Sequence, residues 1–243
     1  MVTTTRNTHS RSGSRVGFRR VYVHCRSATR LDFHWARALC FCCLLSQTLS
    51  AQTNIEHFEY QVAVDGKESG TLTIEYVAES PDTIHAEIRS RVTCKYLLMK
   101  YVFALHVVER WQAGQLVALV GAVDDNGQQN RIKLKPNGDS QVLFVNDQLE
   151  GSTACVGSTT MALCPQTPQV DRRLLDIETG KTADTNWRDT GVEILSVSGR
   201  QLECHHYKVT GDQTTELWFG GQQRLLKQSL RDSGFEIVIN RIR

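Results

Sequence analysis

The sequence lacks the patterns by which an enzyme usually shows itself. It has no Gly-x-Ser-x-Gly elbow to present a serine nucleophile. It has no glycine-rich loop of the Walker or dinucleotide type to cradle a phosphate. The nearest thing to a metal-ligand cluster is Cys204-Glu-His206 with the adjacent His205. Sequence neighbours on a strand point to opposite faces, so those two histidines would not converge on one ion. There is no heptad pattern, no fixed-period repeat and no low-complexity tract beyond residue 51. The four prolines, at 81, 136, 165 and 168, all fall between periodic stretches, where turns and loops belong. These absences lean towards a protein that is not an enzyme and carries no metal or cofactor.

What is present is strand-like alternation, clearest over the last forty residues. ECHHYKVT, TTELWF, RLLKQSLR and FEIVINRI are separated by Gly211-Asp212, Gly220-Gly221 and Asp232-Ser-Gly234. Such spacing predicts an antiparallel meander. Phe235, Ile237 and Ile239 fall on one face and Glu236 and Asn240 on the other, as in a strand with one buried side. Upstream, Phe58–Val64 and Thr71–Tyr76 flank a turn at Asp65–Gly70, with Tyr60, Val62 and Val64 on one face. Strands are expected over Ile84–Thr93 and Tyr101–Trp111. The apolar run from Tyr96 to Leu105 also fits a buried helix, and the β-branched and aromatic residues after it favour strand. Asp124-Asp-Asn-Gly127 between two strand-like runs is a strong hairpin signal. Gly151–Gln169 reads as one long loop, Gln169–Leu175 as one or two helical turns, and Val192–Val197 with Leu202–Val209 as another hairpin. The fold expected is all-β. It is a single antiparallel meander forming a barrel or a strongly curved sheet, covered by the 151–175 segment, with at most one short helix. Closing or covering a sheet disposes of its exposed edges.

Residues 1–51 differ from the rest. They hold eight arginines and one acid, Asp32, followed by the apolar run Ala38–Leu45 and a small-residue site at Leu49-Ser-Ala51. That combination predicts a secretory signal peptide cleaved near Ala51. At over fifty residues it is longer than such peptides usually are, and initiation nearer Leu31 would restore a usual length. The apolar core is about half the ~20 residues of a spanning helix, which argues against a permanent membrane anchor. The alternative, a basic Ser/Thr-rich tail for nucleic acid, is disfavoured because the arginines are scattered without interleaved aromatics. The whole chain carries 28 basic and 26 acidic residues; without the leader's eight and one, 20 and 25 remain, a net charge of −5 for residues 52–243. A mildly acidic domain argues against a nucleic-acid or anionic-membrane partner. The expected location is periplasmic or secreted, and residues 52–243 form one domain.

Export would permit disulfides, and that domain has four cysteines: Cys94, Cys155, Cys164 and Cys204. Cys155 with Cys164 would close a short loop, leaving Cys94 with Cys204; buried free thiols are the alternative. His205 and His206 are the most suggestive acid/base candidates, although a strand histidine beside Tyr207 is more often a satisfied, half-buried side chain. Asp124 and Asp125 resemble paired carboxylates or a weak calcium site, but beside Asn126-Gly127 they read as turn residues. Trp111, His205, Tyr207 and Trp218 are the candidate ligand-binding residues. Trp111, Trp187 and Trp218 also suit a core that needs large apolar side chains.

The landmarks occur in a telling order. Tyr60-x-Val-x-Val-Asp-Gly-Lys67 is followed by Glu109-x-Trp-x-x-Gly-x-Leu-Val-Ala-Leu119 and Asp124-Asp-Asn-Gly127. Then come Leu174-Leu-Asp-x-x-Thr-Gly180, Gly199, His206-Tyr-x-x-x-Gly211 and Leu217-Trp218. This series resembles an exported bacterial family catalogued as domain of unknown function 6134, over about residues 56–243. The resemblance implies export and a β-rich fold, and no chemistry. By analogy with barrels that enclose apolar cavities, the leading expectation is a binding or carrier module for a lipid-like or other apolar small molecule. A structural or assembly partner in the cell envelope comes second. A hydrolase using His205 or His206 comes third.

Overall fold

The computed structural model describes residues 54–96, 99–164 and 171–243; the leader expected over residues 1–51 lies outside the described residues. The first half runs as consecutive hairpins through β1 (Asn54–Val64), β2 (Lys67–Ser80), β3 (Thr83–Tyr96), β4 (Met99–Gln112), β5 (Gln115–Asp125), β6 (Gln128–Asn137), β7 (Ser140–Val145) and β8 (Gln148–Thr153). A two-residue β9 (Gly157–Ser158) and a short β10 (Asp171–Leu175) follow. The second run of hairpins comprises β11 (Thr182–Val197), β12 (Arg200–Thr210), β13 (Thr215–Phe219), β14 (Leu225–Asp232) and β15 (Phe235–Arg241). The fifteen strands of the described residues belong to one sheet, ordered from β8 back to β1, across to β15, and back again to β9.

The join between the halves is the antiparallel pair β1–β15, where Val62 faces Ile239 and Val64 faces Ile237. Among the described residues every ladder is antiparallel except β9 against β10. Period-two alternation builds the concave face. Leu72, Ile74 and Tyr76 from β2, Leu105, Val107 and Trp111 from β4, and Ile132 and Leu134 from β6 are buried in one continuous core. Leu217 and Phe219 of β13 join the same core.

The sheet does not close by hydrogen-bonded pairing of its edges β8 and β9, yet it curves until its halves touch. A Cβ placed on Gly180, in the β10–β11 turn, would lie 2.3 Å from Val145 Cγ2 and 3.1 Å from Ile132 Cδ1. Asn130 Nδ2 donates to the Glu178 carbonyl at 2.8 Å. Of the 151–175 cover expected from the sequence, residues 151–164 and 171–175 are described. Residues 155–164, hereafter the strap, run through the concavity, and all but Val156 and Thr159 are buried.

Two expectations are corrected. Of the Gln169–Leu175 stretch expected as helical, the described part, Asp171–Leu175, is a strand, with Leu174 opposite Ala183 of β11 and Leu175 opposite Ser158 of β9. The Arg-Arg-Leu-Leu pattern fits a helix locally, but pairing on both sides overrides it. The single short helix among the described residues is a 3-10 turn at Gly221–Gln223. The disulfides are not formed either: Cys94, Cys155, Cys164 and Cys204 are free thiols. Cys155 Sγ donates to Gln141 Oε1 at 3.4 Å, and Cys204 Sγ donates to the Glu193 carbonyl at 3.4 Å. Cys164 hydrogen-bonds Arg172 and Tyr207. Cys204 packs with Trp218 and Leu226 in a separate cluster, apart from the core that holds Cys155 and Cys164.

The ambiguous Tyr96–Leu105 run is strand from Met99 onward. The Asn126-Gly127 turn forms as expected, with φ of 51° and 94° and Asp124 Oδ1 accepting from the Gly127 amide at 2.8 Å. Asp125 accepts the Tyr101 hydroxyl. No group of three or more potential metal ligands is found among the described residues.

The turn that brings the halves together also gathers acids. Burial, followed by the carboxylates of Asp176, Asp232 and Asp125, pushes Glu178 from an ordinary 4.5 up to about 7. An acid raised in the folded state costs nothing below 4.5, where both states are protonated. The cost grows as pH rises towards 7 and is complete above it. Glu178→Gln is therefore expected to stabilise the domain at pH 8 and leave it unchanged at pH 4. The residue as a whole is exposed, so water and salt screen the repulsion, and the gain is about 1 kcal/mol. Thermal melts across that pH range, compared between the two proteins, check it.

Candidate functional site

Strap and sheet create two polar sites. The first is sealed in the interior. Glu109 occupies an inward position on β4 between Val107 and Trp111 and is 0% exposed. Its Oε2 accepts from Trp111 Nε1 at 2.8 Å. Its Oε1 accepts from the hydroxyls of Ser158 and Thr160, which lie 2.7 Å apart. Burial pushes the Glu109 carboxyl up, and the bonds from Ser158, Thr160 and Trp111 oppose that rise. Further along the strap, the Tyr76 hydroxyl donates to the Ala162 carbonyl, and Leu163 makes an isolated antiparallel bridge with Arg224. The Arg224 guanidinium lies 4.2 Å from the Tyr76 ring centre and donates through Nε to Glu56 at 2.9 Å. Buried together, Glu109, Trp111, Ser158 and Thr160 act as a latch for the strap.

The second site is open. Where the strap ends, a cleft of about 490 Å³ lies between Cys164, Arg172 of β10, the inner faces of β12 and β13, and the Gly220–Gln223 turn. Cys164, Arg172 and Phe219 are buried and form its floor. Tyr207 is half-buried, while His205 and Glu203 are exposed at the rim. The floor is built on aromatic contacts. The Arg172 guanidinium lies over Trp187 at 4.6 Å. Trp187 meets Tyr207 edge-on at 5.9 Å, and Tyr207 meets Phe219 edge-on at 6.2 Å. Gln222 and Gln223 both have left-handed φ, 56° and 60°, a conformation that costs about 1 kcal/mol or more per non-glycine residue. The bonds Gln223 N to Gly220 O at 3.1 Å and Arg224 Nη1 to Gln222 O at 3.0 Å hold them there.

The candidate ligand-binding residues divide. His205 and Tyr207 line the cleft. Trp111 is part of the latch, 3% exposed. Trp218 packs on the opposite side of the sheet in the small cluster with Cys204 and Leu226. The two histidines part as strand geometry requires. His206 stacks on Trp218 at 4.2 Å and its Nδ1 lies 2.7 Å from Glu193 Oε1, whereas His205 faces the cleft with Asp189 at 3.6 Å. The enclosed apolar cavity of the carrier expectation is not what the concavity holds: the strap fills it. The cleft does bring a thiol, a histidine and an acid to one neighbourhood. Yet the Cys164 thiol is held by Arg172 and Tyr207, and burial pushes it up despite Arg172. A thiol kept protonated is a poor nucleophile.

Reading the sequence for function missed Glu109, Ser158, Thr160, Arg172 and Phe219. A signal existed for Glu109: a charged residue at an inward position of a period-two strand marks either an error of register or a satisfied buried acid. Arg172 gave a similar signal two residues before Leu174, hidden by the helical reading.

An open, strongly curved antiparallel sheet filled by its own strap belongs to the β-barrel-like class. A solved structure of that kind, the "Beta-barrel-like Protein of Domain of Unknown Function DUF1849 from Brucella abortus", superimposes with a TM-score of 0.55 at 10% identity, covering 79% of this chain and 96% of that one. That likeness is one of fold. Residues 60–242 match the family model described as "Domain of unknown function (DUF6134)", and the chain belongs to that family. No curated protein matches.

Proposed function

We propose that the domain is a non-catalytic binding module, exported to the periplasm or secreted, whose ligand is a small molecule with an apolar body seated in the Cys164–Arg172–Tyr207–Phe219 cleft. The observation that carries this reading is the cleft itself. Its volume of about 490 Å³ lies within the usual range for ligand sites. Aromatic side chains form floor and wall, a few polar groups converge there, and the rim turn carries backbone strain. The strap fills the interior, which moves the ligand of this reading from a central cavity to the cleft.

Native mass spectrometry of the protein purified from a bacterial periplasm tests it. The expected result is a mass above that of residues 52–243 that falls to the bare value on denaturation. A bare native mass, unchanged by incubation with periplasmic small-molecule extract, would count against a carrier. It would favour a second reading, an envelope assembly partner. That alternative draws on the filled interior and on Val192 and Ile194, 54% and 68% exposed on β11.

A further inference from the structure

We infer that the edge of β11 turned away from β12 pairs with the same edge of a second copy, antiparallel about a two-fold axis at Ile194. This goes beyond the cleft and its ligand and does not depend on them. β10 pairs with β11 only as far as Asn186, whereas β12 stays paired with β11 to Val197. Among the described residues no other strand pairs with β11 beyond Asn186, so the far part of that edge carries unpaired backbone groups. Such an edge is a template for another strand, and proteins that avoid pairing there commonly place Lys or Pro on it. Between Asp189 and Val197 there is neither.

Burial points the same way. Val192 and Ile194 are 54% and 68% exposed, on the face that they share with His205 and Glu203, their partners across the β11–β12 ladder. The opposite face packs on the chain itself. Leu195 and Leu202 lie against the Cys204, Trp218 and Leu226 cluster, and Glu193 accepts from Trp218 Nε1 at 2.9 Å. The Ser198 hydroxyl donates to the Ile242 carbonyl and ties down the tip of the hairpin. The hairpin is thus held in place with one edge and one apolar face bare, and little ordering remains to oppose association.

The occupant follows from self-complementarity. A two-fold axis at Ile194 sets that residue opposite its own copy, Glu193 opposite Leu195, Val192 opposite Ser196 and Gly191 opposite Val197. No like charges face each other, and Val192 and Ile194 of both copies meet on one face. Centred on Glu193 instead, the pairing would oppose two carboxylates. A two-fold pair also uses up the edge of both copies, so the assembly stops at a dimer.

Sedimentation velocity of the protein purified from a bacterial periplasm, over a wide range of concentration, tests this. The expected result is a reversible monomer–dimer equilibrium. Ile194→Lys is expected to weaken it about a hundredfold, through lost apolar contact and two facing ammonium groups. Ile194 is mostly exposed, so the monomer should keep its fold, and an unchanged circular dichroism spectrum checks that. Cross-linking reads the register and decides the matter if that variant misfolds. Residues opposite each other in an antiparallel ladder have Cα atoms about 4.5–5.5 Å apart, and a disulfide spans about 4.4–6.8 Å. Cys155, Cys164 and Cys204 are buried, so a Cys94→Ser background leaves no accessible thiol in the domain. In that background Ile194→Cys is expected to give a covalent dimer under mild oxidation, and Ser196→Cys is not. A protein that is monomeric throughout overturns the inference. So does a dimer that Ile194→Lys leaves intact, an assembly larger than a dimer, or cross-linking through Ser196→Cys in place of Ile194→Cys.

Discussion

Trp111→Ala is expected to cost the domain about 3–5 kcal/mol, the range for deleting a large buried aromatic side chain. A domain of this size has a total stability of about 5–15 kcal/mol, so the variant should be largely unfolded at modest urea concentrations. Two losses combine. The indole, 3% exposed, lies against the strap, where a Cβ on Gly157 would be 3.3 Å from its Cη2. The indole nitrogen is also one of the donors that satisfy the Glu109 carboxyl, which stays buried when Trp111 is gone. Variants of Glu109 separate the two. Glu109→Gln keeps the pattern: its carbonyl accepts from Trp111 and its amide donates to the Ser158 and Thr160 hydroxyls. Glu109→Leu leaves the indole N–H without an acceptor, though the two hydroxyls still bond each other across 2.7 Å, and should cost about 3 kcal/mol. Because burial raises the Glu109 carboxyl, wild type should lose stability relative to Glu109→Gln as pH rises above 4.5. Urea unfolding of the three variants and wild type at two pH values gives every number. Equal stability of Glu109→Leu and wild type would mean that Glu109 does not hold the strap.

The fold was legible because local chemistry and global architecture agree in most of the chain. Ile237 and Ile239 alternate because one face of β15 packs against the core, while Glu236 is exposed, and Asn126-Gly127 turns because both residues tolerate positive φ. Legibility failed where tertiary contacts override local signals. The strap has no period, since its residues are buried one after another by a surrounding sheet rather than on alternate sides of its own. Gly157-Ser-Thr-Thr160 therefore looks like a polar loop, and its hydroxyls take their meaning only from Glu109, some fifty positions earlier. The cleft was half visible. His205 and Tyr207 stand out as side chains on one face of β12, but Arg172 enters from a distant strand and the rim from another turn. The family landmarks prove to be contacts. Glu109 bonds Trp111, His206 stands opposite Trp218, and Tyr207 stands opposite Leu217.

Gly180, the last residue of the Leu-Leu-Asp-x-x-Thr-Gly landmark, tests how the curved sheet is held shut. Its φ is +74°, a region that costs a residue with a Cβ about 1–2 kcal/mol. The added Cβ would also lie 2.3 Å from Val145 Cγ2, inside any real contact distance. Overpacking of that kind costs about 1–3 kcal/mol, so Gly180→Ala is expected to destabilise by about 3 kcal/mol in total. The two parts can be told apart. Val145→Ala removes the colliding methyl at the modest cost of a half-buried side chain, and in the double variant the steric part should vanish while the backbone part remains. A coupling energy of at least 1 kcal/mol in that cycle is expected of residues in contact. It would mean that the β10–β11 turn and β7 press together in solution, closing the sheet by side-chain packing where strand pairing does not. Additive effects would mean that the halves stand apart, with the strap alone holding the concavity shut.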